Sequence, residues 1–152
     1  MRPYVTALEH RRLKAKAIDL PRSKAERAVP VFIEKVVAGS IAGGHSYGGR
    51  VASMAAVQVG YAALILLSYP LHRPGHPEDL RIEHWPSITC PVLLLSGDRD
   101  PFARVDLLRS NVRRLKKAEL VIFPGMGHGL LPVVDQAMDR AAVFVRALSF
   151  NR

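Results

Sequence analysis

Five short runs rich in β-formers alternate along the chain with longer segments whose apolar residues recur at helical period, and this alternation is the strongest constraint on its fold. The runs are Leu13–Leu20, the weakest, then Val36–Ala42, Ala62–Ser68, Pro91–Ser96 and Glu119–Phe123. Helices are predicted over Pro3–Arg12, Ser23–Lys35, Gly48–Gly60, Arg104–Lys117 and Val133–Ser149. Strands separated by crossover helices pair in parallel. The middle three runs lack polar alternation, as expected of strands covered by helices on both faces. The sequence thus predicts an α/β protein of three αβα layers around a mainly parallel sheet of about five strands. Ser23 with Glu26 three residues on reads as a capping box, and Pro101 can open the fourth helix.

The chain has 152 residues, the length of one domain spanning residues 1–152, and with 49% hydrophobic and 23% charged residues it can bury a core. A disordered basic tail is excluded. The net charge of +9 makes nucleic acid the first partner to weigh. Its distribution weakens that reading. Residues 1–50 carry ten basic and four acidic groups (+6), residues 51–100 three and five (−2), and residues 101–152 nine and four (+5). Arg109, Arg113, Arg114, Lys116 and Lys117 form the densest basic run, but Val105, Leu108, Val112 and Leu115 supply an apolar stripe that leaves them as a solvated face. Specific nucleic-acid binding is therefore not expected.

Cys90 is the only cysteine, so no intrachain disulfide can form and a buried structural thiol is expected. The apolar stretch Tyr61–Leu71 is too short for a bilayer, and the N-terminus has the wrong pattern for a signal peptide. A soluble cytoplasmic protein without a membrane span is the expectation. His72, His76 and His84 lie in a Pro-rich connection, Tyr69 to Pro91, without the further ligands that a metal site needs.

Three loops follow strands in an order that carries chemistry. Gly44-His45-Ser46-Tyr47-Gly48 matches G-x-S-x-G between an apolar strand and a helix, the context of a nucleophile elbow, with glycine expected on both flanks because a Cβ there would collide with a neighbouring element. Serine is a poor nucleophile unless a base takes its proton and an acid orients that base. Ser96-Gly97-Asp98-Arg99-Asp100-Pro101 places two carboxylates just past the next strand but one, and spacing does not choose between Asp98 and Asp100. Gly125-Met126-Gly127-His128-Gly129 places a histidine past the last. In open parallel sheets active sites lie at the carboxyl ends of strands, where these loops converge.

With these motifs in hand, the chain resembles the α/β-hydrolases, in particular the dienelactone-hydrolase-like branch. The resemblance rests on residues 44–50, 96–102 and 125–130 and runs from about Pro3 onward. It implies a serine hydrolase of small esters or related acyl substrates, with Ser46 as nucleophile and His128 as general base and then acid. The family's G-x-x-D pattern selects Asp100 as the orienting carboxylate. The oxyanion would take the backbone N–H of Tyr47, and no cofactor or metal is implied. Trp85, Tyr69 and Leu71 in the Pro-rich connection shape a substrate pocket or simply pack.

The family's usual chain is longer, and the shortfall is at the front: the strand whose glycine-rich loop supplies a second oxyanion N–H has no counterpart before Ser46. Met1 is accordingly expected to be an internal methionine of a longer ancestral or actual product. The Leu13–Leu20 strand must then move in to pair with Val36–Ala42, or the exposed edge must be covered by another chain, for instance in a homo-oligomer. The incomplete oxyanion hole also leaves a rival reading, a non-catalytic interaction module, since the same branch includes a scaffold subunit of a nuclear chromatin-modifying complex.

Overall fold

The computed structural model describes residues 1–150. Helix α1 (Arg2–His10) and helix α2 (Ala25–Lys35) precede the first strand, β1 (Ile41–His45). There follow α3 (Tyr47–Ala55), β2 (Ala63–Leu67), β3 (Val92–Gly97), α4 (Val105–Asn111), β4 (Ala118–Phe123) and α5 (Val134–Phe150). The four strands pair in parallel in the order β1-β2-β3-β4, so the sheet is laid down in sequence order.

Burial explains why β2 and β3 read as unbroken apolar runs. Leu64, Leu66, Val92 and Leu94 face a core shared with α2, α3 and the 69–90 connection, whereas Ala63, Leu67, Leu93 and Leu95 face one shared with α1 and α5. Each buried leucine contributes about 1.5–3 kcal/mol of transfer free energy. Arg11 ties the second face together, bonding Asp139 at 2.7 Å and Asp135 at 3.1 Å on α5.

Four predicted features are corrected. Residues 13–20 form no strand; they lie across a gap from β1 without a ladder partner, so the sheet has four strands, not five. The strand predicted over Val36–Ala42 starts at Ile41, because Gly39 at φ +82° makes a turn first. Ser23 is not a capping residue: its hydroxyl donates to Lys24 O, Lys24 is the N-cap, and Glu26 meets Arg50 instead. Likewise α4 begins at Val105, after a turn containing Pro101, and ends at Asn111. The basic residues from Arg109 to Lys117 are all exposed, with Leu108 and Leu115 buried beneath them. Among the described residues no helix is long and apolar enough to cross a membrane.

The 69–90 connection packs rather than arches. Tyr69, Leu71 and Trp85 are fully buried, the Tyr69 and Trp85 rings meet edge to face at 5.2 Å, and Tyr69 Oη donates to Arg81 O. Cys90 is half-buried, and that burial raises its thiol pKa. His84 closes the connection onto α3: Ser53 Oγ donates to Arg50 O, so His84 Nε2 donates to Ser53 Oγ at 2.7 Å. Burial and, secondarily, the Arg50 guanidinium lower the His84 pKa to about 4, against about 6.5 in an unfolded chain. Between those values the unfolded state binds the extra proton, so stability falls as the pH drops from about 6.5 toward about 4. Thermal melts across that range should show a decline that His84→Gln flattens; an equal decline in both proteins would assign it to other groups.

Candidate active site

The carboxyl ends of β1, β3 and β4 bring three loops together. Ser46 sits between β1 and α3 with φ 52° and ψ −119°, a conformation that costs an L-residue roughly 1–3 kcal/mol and that the packing around it must impose. A Cβ on Gly44 would lie 2.6 Å from the Gly48 backbone, and one on Gly49 2.8 Å from Gly44 O. Gly48 itself faces open space, so the second glycine that the turn requires is Gly49 rather than the Gly48 of the motif.

Ser46 Oγ lies 2.6 Å from His128 Nε2. On the far side of the ring, His128 Nδ1 is 2.8 and 2.9 Å from the two Asp100 oxygens, and the Asp100 side chain is wholly buried. Asp100 Oδ1 also accepts the Phe102 N–H at 2.8 Å. With Nδ1–H donating to the carboxylate, Nε2 is left as the acceptor facing the serine hydroxyl. Asp98 stands elsewhere: it is exposed and accepts the Gly125 N–H at 2.8 Å, bracing the turn that carries His128. Tyr47 begins α3, so its N–H is one of the first-turn donors that a helix leaves unpaired, directly beside Ser46.

Gly97 at the end of β3 allows the histidine loop to close down. A Cβ there would overlap the Met126 carbonyl, and Arg99 N–H donates to that same oxygen at 2.9 Å. Gly97→Ala must therefore push backbone away from backbone. A loss of about 3 kcal/mol in denaturant unfolding is expected, and an unchanged midpoint would show that the loop shifts freely.

Three further residues shape the site, none singled out for it by the sequence. His45 Nε2–H donates to His128 O at 2.9 Å, and the His45 ring stacks on Tyr4 at 5.9 Å. Burial, the largest influence, lowers the His45 pKa and keeps the ring neutral. Phe102 covers the His128 ring, with centroids 4.3 Å apart. His72, buried, fixes the loop bearing Asp100 and Phe102: its Nδ1–H donates to Arg73 O, its Nε2 accepts the Arg104 N–H at 3.0 Å, and its own N–H donates to Phe102 O. Only the adjacency of His45 to Ser46 and the place of Phe102 two residues after Asp100 hinted at these roles in the sequence.

Over residues 3–150 the chain matches a family described as an alpha/beta hydrolase domain. Among solved structures it is similar to a predicted CIB-like hydrolase from Thermoplasma acidophilum, at 18% identity and a TM-score of 0.69, over 88% of this chain and 65% of that one. It is also similar to Est1E of Butyrivibrio proteoclasticus, solved with ferulic acid bound, at 20% identity and a TM-score of 0.63, over 81% and 66%. A monoacylglycerol lipase of Paleococcus ferrophilus matches at 14% and 0.69, over 83% and 76%. The chain thus spans slightly less than two thirds of the first two, and at these identities the likeness is one of fold.

Proposed function

The chain belongs to the α/β-hydrolase family, and from that premise we propose that it is a serine hydrolase acting on small esters or related acyl substrates. The observation that carries this reading is the unbroken line Ser46 Oγ, His128 and buried Asp100, with 2.6 Å on one side of the imidazole and 2.8 Å on the other.

In this mechanism Ser46 Oγ attacks the substrate carbonyl carbon while its proton passes to His128 Nε2. The carbonyl electron pair moves to oxygen, and the oxyanion is met by the Tyr47 N–H and the positive end of α3. Asp100 stabilises the imidazolium through Nδ1–H. As the tetrahedral adduct collapses, the ester C–O bond breaks and Nε2–H protonates the leaving alcohol. Water, deprotonated by the same nitrogen, then attacks the acyl-Ser46 ester, and collapse of that adduct releases the acid and returns the proton to Ser46. Phe102 keeps the imidazole from rotating, and His45 holds the backbone that carries it.

A fluorophosphonate probe is expected to label the protein once, at Ser46, as read by peptide mass spectrometry. Labelling of Ser46→Ala to the same extent would overturn the assignment.

A further inference from the structure

The densest run of charge in the chain lies away from the catalytic loops. Arg109 is in the last turn of α4, Arg113 and Arg114 belong to the single turn Val112–Arg114 after it, and Lys116 and Lys117 lead into β4. All five are exposed, and no acidic residue occurs between Asp106 and Glu119, so this stretch carries +5 of the net +9. The flanking carboxylates are engaged elsewhere, Asp106 with Arg104 at 2.8 Å and Glu119 with Arg140 at 3.0 Å. Among the described residues none of the five cations forms an ion pair with a carboxylate. The next basic stretch, Arg12 to Arg27, spreads six cations over sixteen positions and includes Asp19 and Glu26.

The platform under the cations is fixed. Leu108 and Leu115 are buried beneath them, Asn111 Nδ2 donates to Leu107 O at 2.8 Å, and Lys117 O accepts the Val92 N–H at 2.8 Å. That last bond sets the run at the amino ends of β3 and β4. Asp100 and His128 follow the carboxyl ends of the same six-residue strands, about 20 Å along the sheet. A ligand held here leaves the catalytic loops open.

We propose that this surface binds the phosphate backbone of a nucleic-acid duplex without reading its sequence. Residues 105–119 include no aromatic ring on which an unpaired base could stack, and they expose no large apolar side chain for a bilayer to receive. An acidic peptide laid on this helix end has no exposed apolar anchor to bury and must be ordered at an entropic cost. A duplex is ordered already, brings its own groove, and carries one phosphate charge about every 1.7 Å of its axis. The expectation against specific recognition is kept, because backbone contacts position a protein and carry no sequence information. These residues take no part in the catalytic line, so either reading can fail alone.

The test titrates the full chain into a fluorescein-labelled DNA duplex of about 20 base pairs, read by anisotropy at several salt concentrations. The association constant is expected to fall with salt along a log–log slope of about −4.5, the value for five phosphate contacts. R113Q/K116Q should bring the slope to about −2.7 and weaken binding about tenfold or more at ~0.1 M salt. K14Q/R22Q, which removes the same charge from exposed positions elsewhere, should keep the slope of the unaltered chain. Two duplexes of unrelated sequence should bind within about twofold of each other. No saturable binding at low salt, an equal loss of slope in both variants, or a strong preference for one duplex would overturn the proposal. So would tighter binding of an equally charged glutamate peptide, or of phosphatidylserine vesicles, that R113Q/K116Q weakens, because the occupant would then be a protein or a membrane.

Discussion

Ser46→Ala should lower the turnover of p-nitrophenyl acetate and butyrate by at least about three orders of magnitude, to a rate close to that of buffer. The effect is large because, among the described residues, Ser46 Oγ is the one hydroxyl on His128 Nε2, at 2.6 Å, so the imidazole has no substitute nucleophile there to activate. Stability is a separate readout. Ser46 makes no side-chain capping bond, and alanine suffers about the same penalty at φ 52° as serine does, so the melting temperature should hardly move. Loss of turnover with an intact melt isolates the chemistry. Equal rates for the two proteins would instead favour a hydrolase-like fold used for binding.

Asp100→Asn is the second large effect, on the order of 10⁴-fold in kcat, the size associated with presenting the wrong imidazole tautomer. Asp100 Oδ1 accepts from both Phe102 N–H and His128 Nδ1, and Oδ2 accepts from His128. An asparagine must keep its oxygen on the Phe102 N–H, which turns its NH₂ toward Nδ1. The imidazole can answer only by moving its proton to Nε2, where it faces Ser46 and can no longer act as base. Asp98→Asn retains an oxygen for the Gly125 N–H and should change kcat by no more than about twofold. A larger loss from Asp98→Asn than from Asp100→Asn would reverse the assignment of the acid.

Strands β2 and β3 were legible because burial on both faces leaves an unmistakable apolar run, β4 because Leu120 to Phe123 stay apolar at the sheet edge, and the three loops after strands because their glycines answer to local backbone geometry. Residues 13–20 misled for a physical reason. Leu13, Ala15 and Ile18 have the composition of a weak strand, but a strand exists only with a ladder partner, and β1 lies across a gap. Gly48 misled in the opposite way: it fits the motif, yet the close approach is made by Gly49 against Gly44. His45, Phe102 and His72 were illegible because their partners lie 83, 26 and 32 positions away or across a ring face, and no periodicity encodes such contacts. The same holds for His84, whose low pKa comes from its burial against α3 and, secondarily, from the Arg50 guanidinium.

Tyr4 draws a consequence about time rather than place. Its hydroxyl accepts the Leu130 N–H, 126 positions away, while its ring supports His45, which in turn holds the His128 carbonyl. The opening helix and the final loop of the chain must therefore meet before the imidazole is aimed. Contacts of such sequence separation form late in folding because their loop-closure entropy comes first. During refolding, the ability to hydrolyse should return after the far-ultraviolet signal of the helices and sheet has recovered, so that activity is among the last properties the molecule acquires.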